Sequence, residues 1–73
     1  MAKIDILSEM TGTVWKILVG LGQEVAEGDT VILIEAMKME IPVVALEGGS
    51  VSEILVKEGD MVADGDVVMR LEQ

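Results

Sequence analysis

An internal repeat restricts the possible folds of this chain more than any other feature. Shifting the chain by 37 positions aligns residues 12–35, GTVWKILVGLGQEVAEGDTVILIE, with residues 49–72, GSVSEILVKEGDMVADGDVVMRLE, without a gap. Twelve of the 24 aligned positions are identical. The identical pairs are Gly12/Gly49, Val14/Val51, Ile17/Ile54, Leu18/Leu55, Val19/Val56, Gly22/Gly59, Val25/Val62, Ala26/Ala63, Gly28/Gly65, Asp29/Asp66, Val31/Val68 and Glu35/Glu72. The repeat predicts two copies of one unit that pack together to bury their apolar faces.

Each copy of the repeat has the pattern of strands separated by turns. Val and Ile are abundant, and no stretch has helical periodicity over the length of a helix. AEGD at 26–29 and ADGD at 63–66 predict tight turns in which Gly has a positive φ. The predicted strands are 3–7, 13–19, a short piece around Val25, 30–35, and their counterparts 40–44, 50–56, a short piece around Val62, and 67–72. We expect an all-β fold, a flattened eight-strand barrel-sandwich of two pseudo-symmetric four-strand halves, in one domain spanning 1–73.

Alternation within the strands 30–35 and 67–72 predicts which of their side chains are buried. Arg70 and Glu72 should face water, so the other alternate set should face the core. The predicted inward residues are Ile32, Ile34, Met69 and Leu71, and the predicted outward pairs are Val31/Val68, Leu33/Arg70 and Glu35/Glu72. Leu33 should therefore lie on the outer face, where its counterpart in the second copy is an arginine.

Composition excludes several kinds of site and partner. The chain has no Cys and no His, which excludes disulfides and the usual zinc sites and removes the commonest general base and thiol nucleophile. A net charge of −9 would repel nucleic acid and anionic membranes. The longest apolar run is too short to span a bilayer, and MAKIDIL is not a signal peptide. We expect a cytoplasmic protein that is not an enzyme by itself and is a monomer in isolation.

The segment EAMKME, residues 35–40, joins the two halves and places a lysine between two methionines. Its counterpart is the place where the C-terminus, near Glu72, meets the N-terminus, near Lys3. A two-fold axis across the long direction would put these places at opposite ends, so Lys38 is predicted at the tip of a hairpin. A two-residue turn would centre on Met37 and Lys38, and the type I′ turn that best matches strand twist needs positive φ at both.

The motif EAMKM resembles the biotinylation motif of biotin carrier domains, the biotin carboxyl carrier family. GQEVAEGD before it and IPVVALEGGSVSEILVKEGDMVADGD after it also resemble that family, and the resemblance covers nearly the whole chain. It implies the biotinyl/lipoyl barrel as the fold. It implies further that a biotin protein ligase joins biotin to Lys38 through an amide. The site residues implied by the motif are Ala36, Met37, Lys38 and Met39.

The same resemblance implies a carrier function. Biotin on Lys38 would accept a carboxyl group from a biotin carboxylase and deliver it to a carboxyltransferase. A lysine that must enter several active sites needs an exposed position on a rigid support, and a hairpin tip supplies it. Met37 and Met39 would be flexible apolar contacts for these partners rather than core filler.

Two features depart from the pattern of many family members. EMTG, with Glu9 and Thr11, stands where many have P-M-P-G, which bears on the partner enzyme more than on the modification. The gapless repeat leaves no room for a protruding thumb, so a thumbless carrier is expected. The chain is either a free subunit or a domain of a longer carboxylase, and the acceptor substrate is left open.

Three other functions compete with the biotin carrier. A lipoyl carrier shares the fold, but its lysine usually follows Asp, so Met37 and Met39 favour biotin. A small β-barrel adaptor without a cofactor would not be labelled by a biotin ligase. A self-contained enzyme lacks support, since the sequence has neither His nor Cys.

Overall fold

The chain folds into strands joined by turns. A computed structural model describes residues 2–73, and within them it contains eight strands. These are β1 (Lys3–Leu7), β2 (Gly12–Ile17), β3 (Glu24–Val25), β4 (Thr30–Ala36), β5 (Met39–Val44), β6 (Gly49–Ile54), β7 (Met61–Val62) and β8 (Val67–Glu72). Every predicted strand is present, although β2 and β6 end earlier than predicted. Over these residues the structure has no helix that is long and apolar enough to cross a membrane.

The strands form two four-stranded antiparallel sheets. Sheet A has the order β1-β8-β6-β3, and sheet B has the order β5-β4-β2-β7. Each sheet takes two strands from each half of the chain, and the shift of 37 positions converts the order of sheet A into that of sheet B. The all-β sandwich of two pseudo-symmetric halves is confirmed. Because the halves exchange strands, neither can complete a sheet without the other.

Bulges interrupt the ladders at positions that the repeat relates to each other. The pairing skips Trp15 and Val31 in sheet B, and Ser52 and Val68 in sheet A. A bulge sets two residues of one strand against one residue of its neighbour, so strict alternation fails there. The prediction that Val31 and Val68 face outward is therefore wrong, since both are 0% exposed.

Away from the bulges the predicted alternation holds. Ile32, Ile34, Met69 and Leu71 are all 0% exposed, and Leu33 is more exposed, as predicted. The core between the sheets receives an aliphatic side chain from every strand. Its other members are Ile6, Val14, Val25, Val31, Val43, Ala45, Val51, Val62 and Val68. Burial of this aliphatic cluster is the main source of stability in a chain that has no disulfides.

The two predicted glycine turns have the same hydrogen bonds. In the first, the Asp29 N–H donates to the Ala26 carbonyl at 3.0 Å, and the Ala26 N–H donates to Asp29 Oδ2 at 2.9 Å. Asp66 and Ala63 repeat both bonds at 3.0 and 2.8 Å. The glycine of each turn has the positive φ that was predicted, 89° and 93°. An aspartate that bonds the main chain of its own turn stabilises that turn locally.

The hairpin between β4 and β5 lies far from the chain termini. The molecule measures 36 × 17 × 17 Å. The Gln73 side chain donates to the Gly48 carbonyl at 2.8 Å, and a Cβ added at Gly48 would lie 3.7 Å from the Ala26 Cα. The turn after Ala26 therefore lies at the terminal end. From that turn β4 runs away to Ala36, a distance of roughly 20 Å at about 3.3 Å per residue.

Candidate functional site

The hairpin between β4 and β5 closes on the two residues that the sequence predicted. Ala36 pairs with Met39, which leaves Met37 and Lys38 as the central residues of a two-residue turn. Their φ angles are 53° and 64°, the sign that a type I′ turn requires at both positions. This prediction is confirmed. The left-handed region costs a residue with a Cβ roughly 1–2 kcal/mol, so the turn stores strain that the rest of the fold must offset.

The strands below the turn supply that support. Glu35 pairs with Glu40, and Ile34, which is fully buried, pairs with Ile41. The neighbouring strand β2 begins at Gly12, where an added Cβ would lie 2.6 Å from the Glu35 carbonyl oxygen. Only glycine allows β2 to approach the base of the hairpin this closely. The turn is therefore fixed to the core through β4, with strands paired on both sides.

The predicted site residues divide into three exposed side chains and one buried side chain. Met37 is 89% exposed and Met39 63% exposed, and Lys38 is exposed between them. The methionines are thus surface residues, as predicted. Ala36 is only 9% exposed and faces the core, and an added Cβ on Gly12 would lie 3.2 Å from its own Cβ. Ala36 is therefore a small buried residue under the turn.

Two glutamates flank the base of the hairpin, and Lys38 forms no ion pair within the described residues. Glu35 and Glu40 lie opposite each other on the exposed face of sheet B. The ion pairs among residues 2–73 involve Lys3 and Arg70, and none involves Lys38. The Lys38 amine is therefore accessible to another molecule without first breaking an ion pair. Within the described chain no three His, Cys, Asp or Glu side chains form a group that could hold a metal ion.

A groove of about 300 Å³ lies along the seam between the two sheets. Its walls come from the edge strands β1 and β5, with apolar side chains that include Ile4, Ile6, Ile41 and Val43. Residues 36–39 are not part of its lining. The groove could not be predicted from the sequence, because its two walls are distant in the chain and meet only when the sheets pack.

Comparisons with known proteins agree with this geometry. The sequence model of the Biotin_lipoyl family, described as biotin-requiring enzyme, matches residues 3–71. The chain is 46% identical over 41 residues to the biotinylated protein TB7.3 homolog of Mycolicibacterium smegmatis, a match that covers 56% of this chain and 58% of that protein. It is 46% identical over 37 residues to the biotin/lipoyl attachment protein of Bacillus subtilis, covering 51% of each. The chain thus matches just over half the length of these relatives.

The fold agrees with a solved structure over nearly the whole chain. A region of the urea carboxylase of Kluyveromyces lactis superposes with a TM-score of 0.93 and 44% identity. The match covers 99% of this chain and 6% of that much longer chain. Because the family model extends over almost every residue, the chain belongs to the biotin/lipoyl family of biotin-requiring enzymes.

Proposed function

We propose that this chain is a biotin carboxyl carrier and that Lys38 is its attachment point. The observation that carries the proposal is the exposed hairpin whose central residues are Met37 and Lys38, both with positive φ. Elsewhere in residues 2–73, positive φ occurs only at glycine. A lysine held in this conformation at the end of the molecule is best explained by a need for its amine there.

Attachment uses the Lys38 amine as a nucleophile. In the proposed reaction a biotin protein ligase cleaves ATP to activate the carboxyl group of biotin. ATP joins that carboxyl group to AMP and releases pyrophosphate. The unprotonated Lys38 Nζ then attacks the carboxyl carbon, the bond from this carbon to AMP breaks, AMP leaves, and the nitrogen loses a proton as the amide forms. The amide removes the positive charge of the lysine, so the flexible apolar side chains of Met37 and Met39 are left beside a neutral arm.

Once attached, biotin supplies a nitrogen that carries a carboxyl group between a biotin carboxylase and a carboxyltransferase. The contribution of this chain is to position the arm. The hairpin is tied to the core through Ile34 and projects from the end opposite the termini. A tether at either terminus would therefore leave Lys38 free to enter successive active sites.

Two further properties complete the proposal. The chain would act as one biotinyl domain over residues 1–73, monomeric in isolation and cytoplasmic. It would be non-catalytic, which is supported by a sequence without His or Cys. The alternative is attachment of lipoate, which the family name and the Bacillus subtilis relative both mention. The methionines on either side of Lys38 favour biotin.

The test is labelling with purified biotin protein ligase, biotin and ATP, followed by intact mass and peptide mapping. One biotinyl group should be added, on Lys38, and Lys38→Ala should take up none. Lys16→Ala and Lys57→Ala serve as matched controls and should label fully. Biotin found on Lys16 or Lys57, or lipoyl addition by a lipoate ligase in place of biotinylation, would overturn the assignment.

A further inference from the structure

The outer faces of the two sheets should be alike by the repeat, yet they differ in chemistry. On sheet A, Leu7 at the end of β1 is exposed and apolar, as is its sheet B counterpart Val44. The other eight outward positions of sheet A are all polar: Lys3, Asp5, Glu24, Ser50, Ser52, Glu53, Arg70 and Glu72. Their counterparts on sheet B are Glu40, Pro42, Met61, Thr13, Trp15, Lys16, Leu33 and Glu35. Half of the sheet B positions are apolar. We call Trp15, Leu33, Pro42 and Met61 the outer patch.

The outer face of sheet A resembles an ordinary solvent-exposed surface. Arg70 Nε lies 2.9 Å from Asp5 Oδ1, and Arg70 Nη1 lies 3.4 Å from Glu53 Oε2. Lys3 Nζ lies 3.7 Å from Glu53 Oε1. The hydrogen bond to Asp5 and then the charge of Glu53 raise the pKa of Arg70, so the guanidinium stays charged. These groups pair with one another across strands, and the exposed apolar residue on these strands is Leu7 at the end of β1.

The outer patch has the opposite character. Leu33 lies between Pro42 on β5 and Lys16 on β2, and the bulge sets Trp15 beside Lys16. Trp15 is the chain's one aromatic residue and is nevertheless 43% exposed. The Lys16 ammonium lies 5.5 Å from the centre of the Trp15 ring, a cation–π contact that orients the ring on the surface. Tryptophan in such a position is enriched among residues that dominate binding energy.

The outer patch is also close enough to Lys38 for a single protein interface to cover both. Leu33 precedes Lys38 by five positions along β4 and the hairpin, roughly 16 Å at about 3.3 Å per residue. A standard interface buries about 800 Å² on each partner, which corresponds to a radius of about 16 Å. A protein that encloses the hairpin tip and leans onto sheet B would cover this patch.

Of the proposed partners, the ligase must approach this chain most closely. It acts on Lys38 before any arm is attached, so its active site must come within one lysine side chain of the turn. The carboxyl-transferring enzymes act on the end of the attached arm, so their contacts with this chain can be confined to the hairpin tip. We propose, on the basis of the proposed function, that the outer patch is the docking surface for the biotin protein ligase.

The surrounding charges define the ligase surface further. Glu35 and Glu40 lie between the outer patch and the hairpin tip on the same face of sheet B. The complementary surface therefore has an apolar centre that receives Trp15 and Leu33, and cationic groups that meet the two carboxylates. Salt should slow the labelling reaction by screening these charges.

The repeat suggests substitutions in which the new residue already occurs at the equivalent position of sheet A. Leu33→Arg and Trp15→Ser each copy the counterpart residue on sheet A. Each should lower kcat/KM for biotinylation at least 10-fold, through KM, and leave kcat within about 2-fold at saturating carrier. Ser50→Arg adds the same charge to the outer face of sheet A and should leave both constants unchanged. Circular dichroism and urea unfolding confirm that each variant is folded.

A second readout does not depend on turnover. Incorporation of 5-fluorotryptophan labels Trp15 alone, and its fluorine resonance should shift or broaden when unlabelled ligase is added to Lys38→Gln protein. A kcat/KM within 2-fold of wild type for Leu33→Arg and Trp15→Ser would overturn the proposal, as would an unchanged resonance. A resonance that changes with carrier concentration alone would assign the patch to a second copy instead.

A chain that is not a biotin carrier and a carrier that the ligase binds elsewhere give different results. If wild-type protein takes up no biotin, the proposed function fails. If labelling of the variants is normal but carboxyl transfer from biotinylated Leu33→Arg is slow, the carrier function stands. The patch then belongs to a carboxyl-transferring enzyme, which overturns the assignment to the ligase.

Discussion

Residues with positive φ in the described chain fall into two kinds. Four are glycines, Gly22, Gly28, Gly59 and Gly65, and the repeat relates them in two pairs. The other two are Met37 and Lys38, which occur once, at the junction of the repeats. Where only a reversal of the chain is needed, glycine provides it at little steric cost. At the junction the fold accepts strain, which supports the proposal that the Met37 and Lys38 side chains themselves are needed there.

The largest expected effect comes from weakening the strand that supports the strained turn. Ile32→Ala removes a fully buried side chain from β4 and should lower the free energy of unfolding by about 2–5 kcal/mol. Leu33→Arg, one residue along, is the matched control and should change it by less than about 0.5 kcal/mol. Urea unfolding measures both, and equal losses would show that the two faces of β4 are assigned wrongly.

The glycine turns provide the next test. Gly28 and Gly65 have φ of 89° and 93°, and nothing lies within 4 Å of a Cβ added at either position. Substitution by Ala therefore tests backbone strain alone and should cost roughly 1–2 kcal/mol at each site. Gly20→Ala, which also meets nothing within 4 Å, lacks the positive φ and should cost nothing. A clear difference in unfolding free energy between Gly28→Ala and Gly65→Ala would show that the two repeats are not equivalent.

Replacing the central pair of the hairpin should stabilise the fold, whereas the substitutions described above destabilise it. Met37-Lys38 changed to Asn-Gly installs the pair that type I′ turns favour, and should raise the free energy of unfolding by roughly 1–2 kcal/mol. Biotinylation should disappear, because the amine is gone. Thermal and urea unfolding measure the first effect and mass spectrometry the second. No gain in stability would mean that the strain at Met37 and Lys38 is smaller than their φ angles indicate.

The smallest effect on stability is expected at the exposed methionines. Met37→Ala and Met39→Ala remove side chains that are 89% and 63% exposed, so unfolding should change by less than about 0.5 kcal/mol. Biotinylation should still occur, while carboxyl transfer should slow because apolar contact with the partner enzymes is lost. Leu21→Ala, at a residue that is 69% exposed and lies outside both the hairpin and the outer patch, is the matched control. Normal carboxyl transfer by both variants would show that the methionines have no role in it.

Much of the fold and the site could be predicted from local sequence signals. The shift of 37 positions predicted the eight strands, the AEGD and ADGD turns and the outward Leu33. A two-residue turn between Ala36 and Met39 predicted that Met37 and Lys38 have positive φ. These features depend on φ preferences and on a period of two, which neighbouring residues determine.

Only the tertiary structure decided how those strands are combined. Each sheet combines two strands from each half of the chain. Bulges at Val31 and Val68 bury side chains that simple alternation places outside. The contrast between Arg70, ion-paired on sheet A, and Leu33 beside Trp15 on sheet B likewise needs the cross-strand register. The physical reason is that strand pairing and twist are determined by the burial of aliphatic side chains from the whole chain. No local stretch of sequence encodes that burial.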